Sequence, residues 1–135
     1  LLFELLGRDA TATARMMRDF RATGRMPVPD AAWKRAAAEF EGFALSDEDT
    51  LAEIRRLHEA AGYLADPHTA IGTAAARARP SDRGVPIIVA ATAHPAKFPD
   101  AVERATGLRP PLPPALADLY EREERLTVLP NALSD

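Results

Sequence analysis

The sequence predicts a predominantly helical chain with one buried, parallel-type strand over residues 86–92, and so reads as part of an α/β fold. Two observations carry that prediction. Capped apolar stripes at helical spacing follow one another through the first 64 residues. The stretch VPIIVAATAHPAKFP, Val85 to Pro99, is then almost wholly apolar until it offers a hydroxyl, an imidazole and an ammonium close together at Thr92, His94 and Lys97.

In chain order, Leu2, Phe3, Leu5 and Leu6 make a short apolar helical turn closed by Gly7. Asp9 is placed to cap a helix over 10–23, whose Thr13, Met16, Met17 and Phe20 share one face and which Gly24 ends. Pro27 and Pro29 forbid its continuation, and Asp30 is free to cap a helix over 31–41 with Trp33, Ala37 and Phe40 in one stripe and Gly42 beyond its end. Ser46, followed by Asp47, Glu48 and Asp49, suits the positive end of a helix whose inward stripe is Leu51, Ile54, Leu57 and Ala61, ending at Gly62.

The composition changes after Leu64, which divides the chain into a helical segment over 1–64 and an α/β segment over 65–135. Asp66 and Pro67 open an alanine-rich helix to about Arg79, residues 80–84 form a loop, and Val85 starts the strand. Pro99 fits the first position of a further helix that Gly107 closes, and another short helix is expected from Pro114. Between them LRPPLPP lacks the amide donors for a helix or a central ladder. LTVLP supplies the candidate for a second short strand, over 126–129.

The bulk properties exclude several classes of function. With 17 basic and 20 acidic residues interspersed, the net charge is −3, and the basic stripe of a nucleic-acid binder is missing. The chain has no cysteine, hence no disulfide framework and no thiolate chemistry, which suits a reducing compartment and makes the cytoplasm the expected location. No apolar run approaches the roughly 20 residues that span a bilayer, so no membrane partner is expected. The length suits one ordinary domain, but the chain begins at Leu1 inside an apolar pattern, as expected of a piece of a longer polypeptide.

Ile87 to Ala91 show no polar alternation, the pattern of a strand covered on both faces in a parallel sheet. Such a strand needs partners that these 135 residues do not supply, so most of the sheet is expected to be encoded elsewhere. In open α/β sheets ligands sit beyond the carboxyl ends of strands, which is where Thr92, His94 and Lys97 fall. Two readings stand side by side: a binding cluster, or a backbone-bonded threonine, a pre-proline histidine and a solvated lysine. ADPHT likewise reads either as a cap built from Asp66, Pro67 and Thr69, or as a helix start that brings His68 or Thr69 to a ligand. Asp66, His68 and His94 lack a recognised metal-ligand spacing, and Ser46, Ser81 and Ser134 lack a nucleophile-elbow pattern.

ATAHPAKFPDAVE (Ala91 to Glu103) and ADPHTAIG (Ala65 to Gly72) resemble the C-terminal region of pyridoxal-phosphate-dependent threonine synthases. LLFELLGRD at the start, GYLADPHTA in the middle and LTVLPNALSD at the end extend the resemblance over nearly the whole chain. TAHPAKF carries most of its specificity, and the helices over 31–57 carry little.

The resemblance implies the fold type of the tryptophan synthase β-subunit, with 65–135 in the cofactor-binding large domain. It implies the lyase reaction of threonine biosynthesis, in which O-phospho-L-homoserine and water give L-threonine and phosphate. It assigns Thr92 to the cofactor's pyridine nitrogen. A hydroxyl there, unlike a carboxylate, does not favour a protonated ring. His94 and Lys97 become candidates for the substrate phosphate, and Asp66, His68 and Thr69 for the opposite wall. The Schiff-base lysine is expected upstream, since Lys34 and Lys97 are the only lysines and neither occupies that position. The chain alone is therefore expected to be inactive, to leave pyridoxal phosphate unbound and to self-associate. The rival reading is a non-catalytic helical module that packs Met16, Met17, Phe20 and Trp33 against another chain.

Overall fold

The computed structural model describes residues 1–79 and 84–130. It forms two compact units, the first over Leu1–Phe43 and the second from Ala44 onward.

The first unit holds α1 (Leu2–Leu5), α2 (Ala10–Thr23) and α3 (Asp30–Glu39). The Asp9 carboxylate accepts the Ala12 N–H at 2.9 Å, and Gly24 closes α2 in the left-handed conformation. Asp30 is the first residue of α3 rather than its cap, and no side chain caps that end. The helix stops two residues before the expected boundary, where Phe40 is extended with φ −125° and ψ 143°, so Gly42 is not its C-cap. Trp33 and Phe40 remain 63% and 57% exposed.

In the second unit α4 (Asp47–Ala61) packs against both α5 (Pro67–Ala78) and α6 (Pro99–Thr106). Its start is built locally. Ser46 Oγ accepts the Asp49 N–H at 3.1 Å and donates to the Asp49 carboxylate at 2.7 Å, while the Thr50 hydroxyl donates to the Ser46 carbonyl. The core is small and aliphatic: Ile54, Ala70 and Ala105, with Leu51 against them. Two polar ties reinforce it. Arg55 Nε donates to the Ala105 carbonyl at 2.8 Å, fastening α4 to the end of α6. The buried Glu53 accepts two bonds from Arg56 and one each from Thr73 and Arg77 on α5. The Arg56 bonds, followed by those of Arg77 and Thr73, hold the Glu53 carboxyl at about 2 against the opposing effect of burial.

No strand occurs among the described residues, which corrects both strand expectations. Over 86–92 the backbone makes no hydrogen bond to described residues, and Ile87 and Ile88 are 47% and 89% exposed. Over 126–129 the side chains of Leu126, Val128 and Leu129 are likewise exposed. The physical reason is that a strand is a property of a ladder: with no neighbour to exchange N–H and C=O bonds, even a strongly β-prone run has no sheet to join. The run instead lies beside α5. Val89 lies close over Gly72 of α5, where an added methyl would come within 3.0 Å of Val89 Cγ1.

The LRPPLPP stretch is free of α-helix as expected, and the helix expected from Pro114 is reduced to 3-10 turns over Pro114–Leu116 and Leu119–Glu121. Of the expected loop over 80–84, residues 80–83 lie outside the described residues, as does the end of LTVLPNALSD beyond Pro130. Among the described residues no helix is long and apolar enough to cross a membrane.

Candidate functional site

Thr92 stands where two clefts of the second unit meet. The larger, about 730 Å³, is lined by Tyr63 and Leu64, by Ala91 to Pro95, and by Pro110 to Pro114. The smaller, about 380 Å³, runs between α5 and residues 87–90 and includes His68 and Gly72 together with Thr92. The Thr92 side chain is exposed, and its hydroxyl makes no hydrogen bond among the described residues. It is therefore free to donate to, or accept from, a ligand on either side.

His94 shares the larger cleft with Thr92. It caps a 3-10 turn over Pro95–Lys97, and its ring Nδ1 accepts the Ala96 N–H at 3.2 Å. Lys97 is exposed at the end of this turn and lines neither cleft. The described lining of the larger cleft contains no carboxylate, lysine or arginine, so on that side Thr92 faces a neutral, partly apolar space, whereas Arg79 lines the smaller cleft.

Asp66 and Thr69 are 1% and 3% exposed and are engaged with each other. Asp66 Oδ1 accepts the His68 N–H at 2.9 Å and the Thr69 N–H at 3.3 Å, and Oδ2 accepts the Thr69 hydroxyl. These bonds satisfy the free amides at the start of α5 and fix the backbone under His68. The His68 ring meets the Phe98 ring edge to face, with centroids 5.1 Å apart and planes at 73°. That contact joins α5 to the entry of α6, beside the TAHPAKF turn.

Asp66→Ala is expected to cost about 2 kcal/mol of stability, because it strips a buried cap from two amides and a hydroxyl at once. Urea denaturation of the wild-type and Ala chains checks this. An unchanged midpoint would show that the cap carries no weight.

Sequence reasoning placed Thr92 and His94 together but missed the opposite wall, Tyr63–Leu64 and Pro110–Pro114. The signal for the proline wall is Gly107, whose left-handed φ of 76° turns the chain back after α6. Phe98 was also missed. Its aromatic character inside an otherwise polar and small-residue turn is the available clue.

A family model described as threonine synthase, C-terminal, matches residues 69–135. The threonine synthase of Pseudomonas aeruginosa is 49% identical over 135 residues, which covers 99% of this chain and 29% of that protein. That of Corynebacterium glutamicum is 37% identical over 134 residues, covering 96% of this chain and 28% of that protein. The crystal structure of PLP-bound threonine synthase from Brucella melitensis superposes with a TM-score of 0.72 at 42% identity, over 95% of this chain and 27% of that one. The chain thus spans less than a third of the length of these relatives.

Proposed function

The chain belongs to the threonine synthase family, and on that premise we propose that it works as the C-terminal portion of an enzyme converting O-phospho-L-homoserine and water to L-threonine and phosphate. One observation carries the reading at the level of the site: an unpartnered hydroxyl, Thr92, stands at the mouth of a cleft with no acid in its described lining. This fits a neutral pyridine nitrogen, which accepts a hydrogen bond from a hydroxyl and keeps no proton of its own without a carboxylate nearby. Pyridoxal phosphate, when bound, supplies the electron sink for the chemistry at the substrate carbons.

The remaining residues divide into those that meet the ligand and those that hold them. Thr92 orients the ring and His94 faces the same cleft. Lys97 supplies positive charge near the mouth. Asp66 and Thr69 act by holding the start of α5 beneath His68, and Phe98 steadies the His68 ring. The reacting lysine and the seat of the cofactor phosphate belong to the N-terminal region of the family. Residues 65–135 belong to the cofactor-binding domain, and within them the run from Val85 to Ile88 is apolar and exposed. That run also accounts for the self-association expected of the chain by itself. A lyase of threonine biosynthesis acting in the cytoplasm completes the reading.

Phosphate release from O-phospho-L-homoserine in the presence of pyridoxal phosphate tests it. The 135-residue chain alone is expected to release none. The polypeptide that joins it to the family's N-terminal region is expected to release phosphate and threonine in equal amounts. Failure of the joined, folded polypeptide to form threonine would refute the proposal.

A further inference from the structure

We infer that His94 meets the amino-acid ligand of the Thr92 cleft as a neutral imidazole donating from Nε2, in a tautomer fixed by the two residues that follow it. This deepens the functional reading above and rests on it for the ligand's identity. Pro95 has no N–H, so the first donor that the turn can offer to the His94 side chain is the Ala96 amide. That amide reaches Nδ1 at 3.2 Å, and Ala96 is 7% exposed, so solvent is a poor substitute partner for it. The His94 carbonyl meanwhile accepts the Lys97 N–H at 3.0 Å, so one turn grips both the backbone and the ring of this residue.

A ring nitrogen that accepts carries no proton, so the proton of the neutral ring resides on Nε2. Nε2 lies on the edge of the ring away from the turn, in a residue that is exposed and lines the cleft with Thr92. Among the described residues no acceptor takes that N–H. With no cation in the described lining of the cleft, the Nε2–H is a nitrogen donor available there to an anionic oxygen, beside the hydroxyls of Thr92 and Tyr63. Such oxygens occur on the substrate as its phosphate ester and as its carboxylate.

Two substitutions separate the ring's two jobs. His94→Asn puts an acceptor oxygen near the position of Nδ1 and preserves the turn, but leaves nothing at Nε2. His94→Gln carries an amide N–H near Nε2 and gives up the contact to Ala96. In the full-length enzyme, KM for O-phospho-L-homoserine is expected to rise about tenfold or more in the Asn variant and to stay within about threefold in the Gln variant. A wild-type KM in the Asn variant overturns the ligand role. Inhibition by inorganic phosphate and by L-alanine tells the two oxygens apart: the inhibitor that weakens in the Asn variant names the group held.

The tautomer is checked separately on the 135-residue chain by long-range proton–nitrogen correlation of its histidines. The Nε2–H pattern is expected for His94, and the Nδ1–H pattern overturns the inference whatever the enzyme does. Absence of threonine synthesis by the wild-type polypeptide would instead overturn the functional reading, while the nitrogen spectrum still decides the tautomer.

Discussion

Replacing Glu53 by glutamine is expected to lower the unfolding free energy of the chain by about 2 kcal/mol at neutral pH and to abolish much of its sensitivity to acid. The carboxylate is 3% exposed, pairs with Arg56 of its own helix at 2.6 Å, and joins α4 to α5 through Arg77 at 2.8 Å. The guanidinium groups are 41% and 59% exposed, so solvent screens the pair and the loss stays below that of a fully buried ion cluster. Burial raises this carboxyl but the guanidinium bonds outweigh it, leaving the folded group at about 2 against an ordinary 4.5. A depressed carboxyl stabilises the fold above its unfolded pKa and loses that contribution as it gains a proton. The wild-type advantage is therefore complete above about pH 5 and fades as pH falls from 4.5 toward 2. Urea unfolding of both chains at pH 7 and pH 3 measures the difference directly. Equal midpoints at pH 7 would show that the cluster only decorates the surface.

The second large effect concerns Thr92. In the full-length enzyme Thr92→Ala is expected to weaken cofactor retention about tenfold or more, whereas Thr92→Ser retains most of it, because only the hydroxyl is used. In the 135-residue chain the Ala substitution is expected to leave stability within about 0.5 kcal/mol, since the side chain is exposed and its hydroxyl has no partner among the described residues. That split between a binding defect in the enzyme and none in folding separates a ligand contact from a structural threonine. Cofactor titration by absorbance in the enzyme and denaturation of the chain supply the two readings. A Ser variant as defective as Ala would contradict the hydroxyl's role.

What could be read from the residues is what neighbouring residues decide. The caps at Asp9, Ser46 and Asp66 and the left-handed closures at Gly24, Gly62 and Gly107 each depend on a few consecutive positions, and all stand as expected. The inward stripe of α4 holds in part: Ile54 is fully buried and Leu51 and Leu57 are half-buried, but Ala61 is exposed, and Thr50 and Glu53 are buried in its place. The strand over 86–92 failed for the opposite reason. Its apolar run encodes a demand for burial, but the ladder that would meet that demand requires a second segment, and Ile88 is left 89% exposed.

The same holds for α2 and α3. Met17, Phe20 and Trp33 recur at helical spacing yet stay exposed, so periodicity marked a face without supplying what covers it. In the candidate site, Thr92 and His94 were legible because they are two residues apart at the end of one run. The wall opposite them was not, because Tyr63 and Pro111 come to that cleft from segments 29 and 19 positions from Thr92 along the chain.

The central claim is that the Thr92 hydroxyl serves the ring nitrogen of the cofactor. A crystal structure of the full-length, cofactor-loaded enzyme measures it outright. Thr92 Oγ1 is expected about 2.7–3.2 Å from the pyridine nitrogen, within hydrogen-bond range. A carboxylate in that place, or a Thr92 hydroxyl turned away to water, would contradict the account.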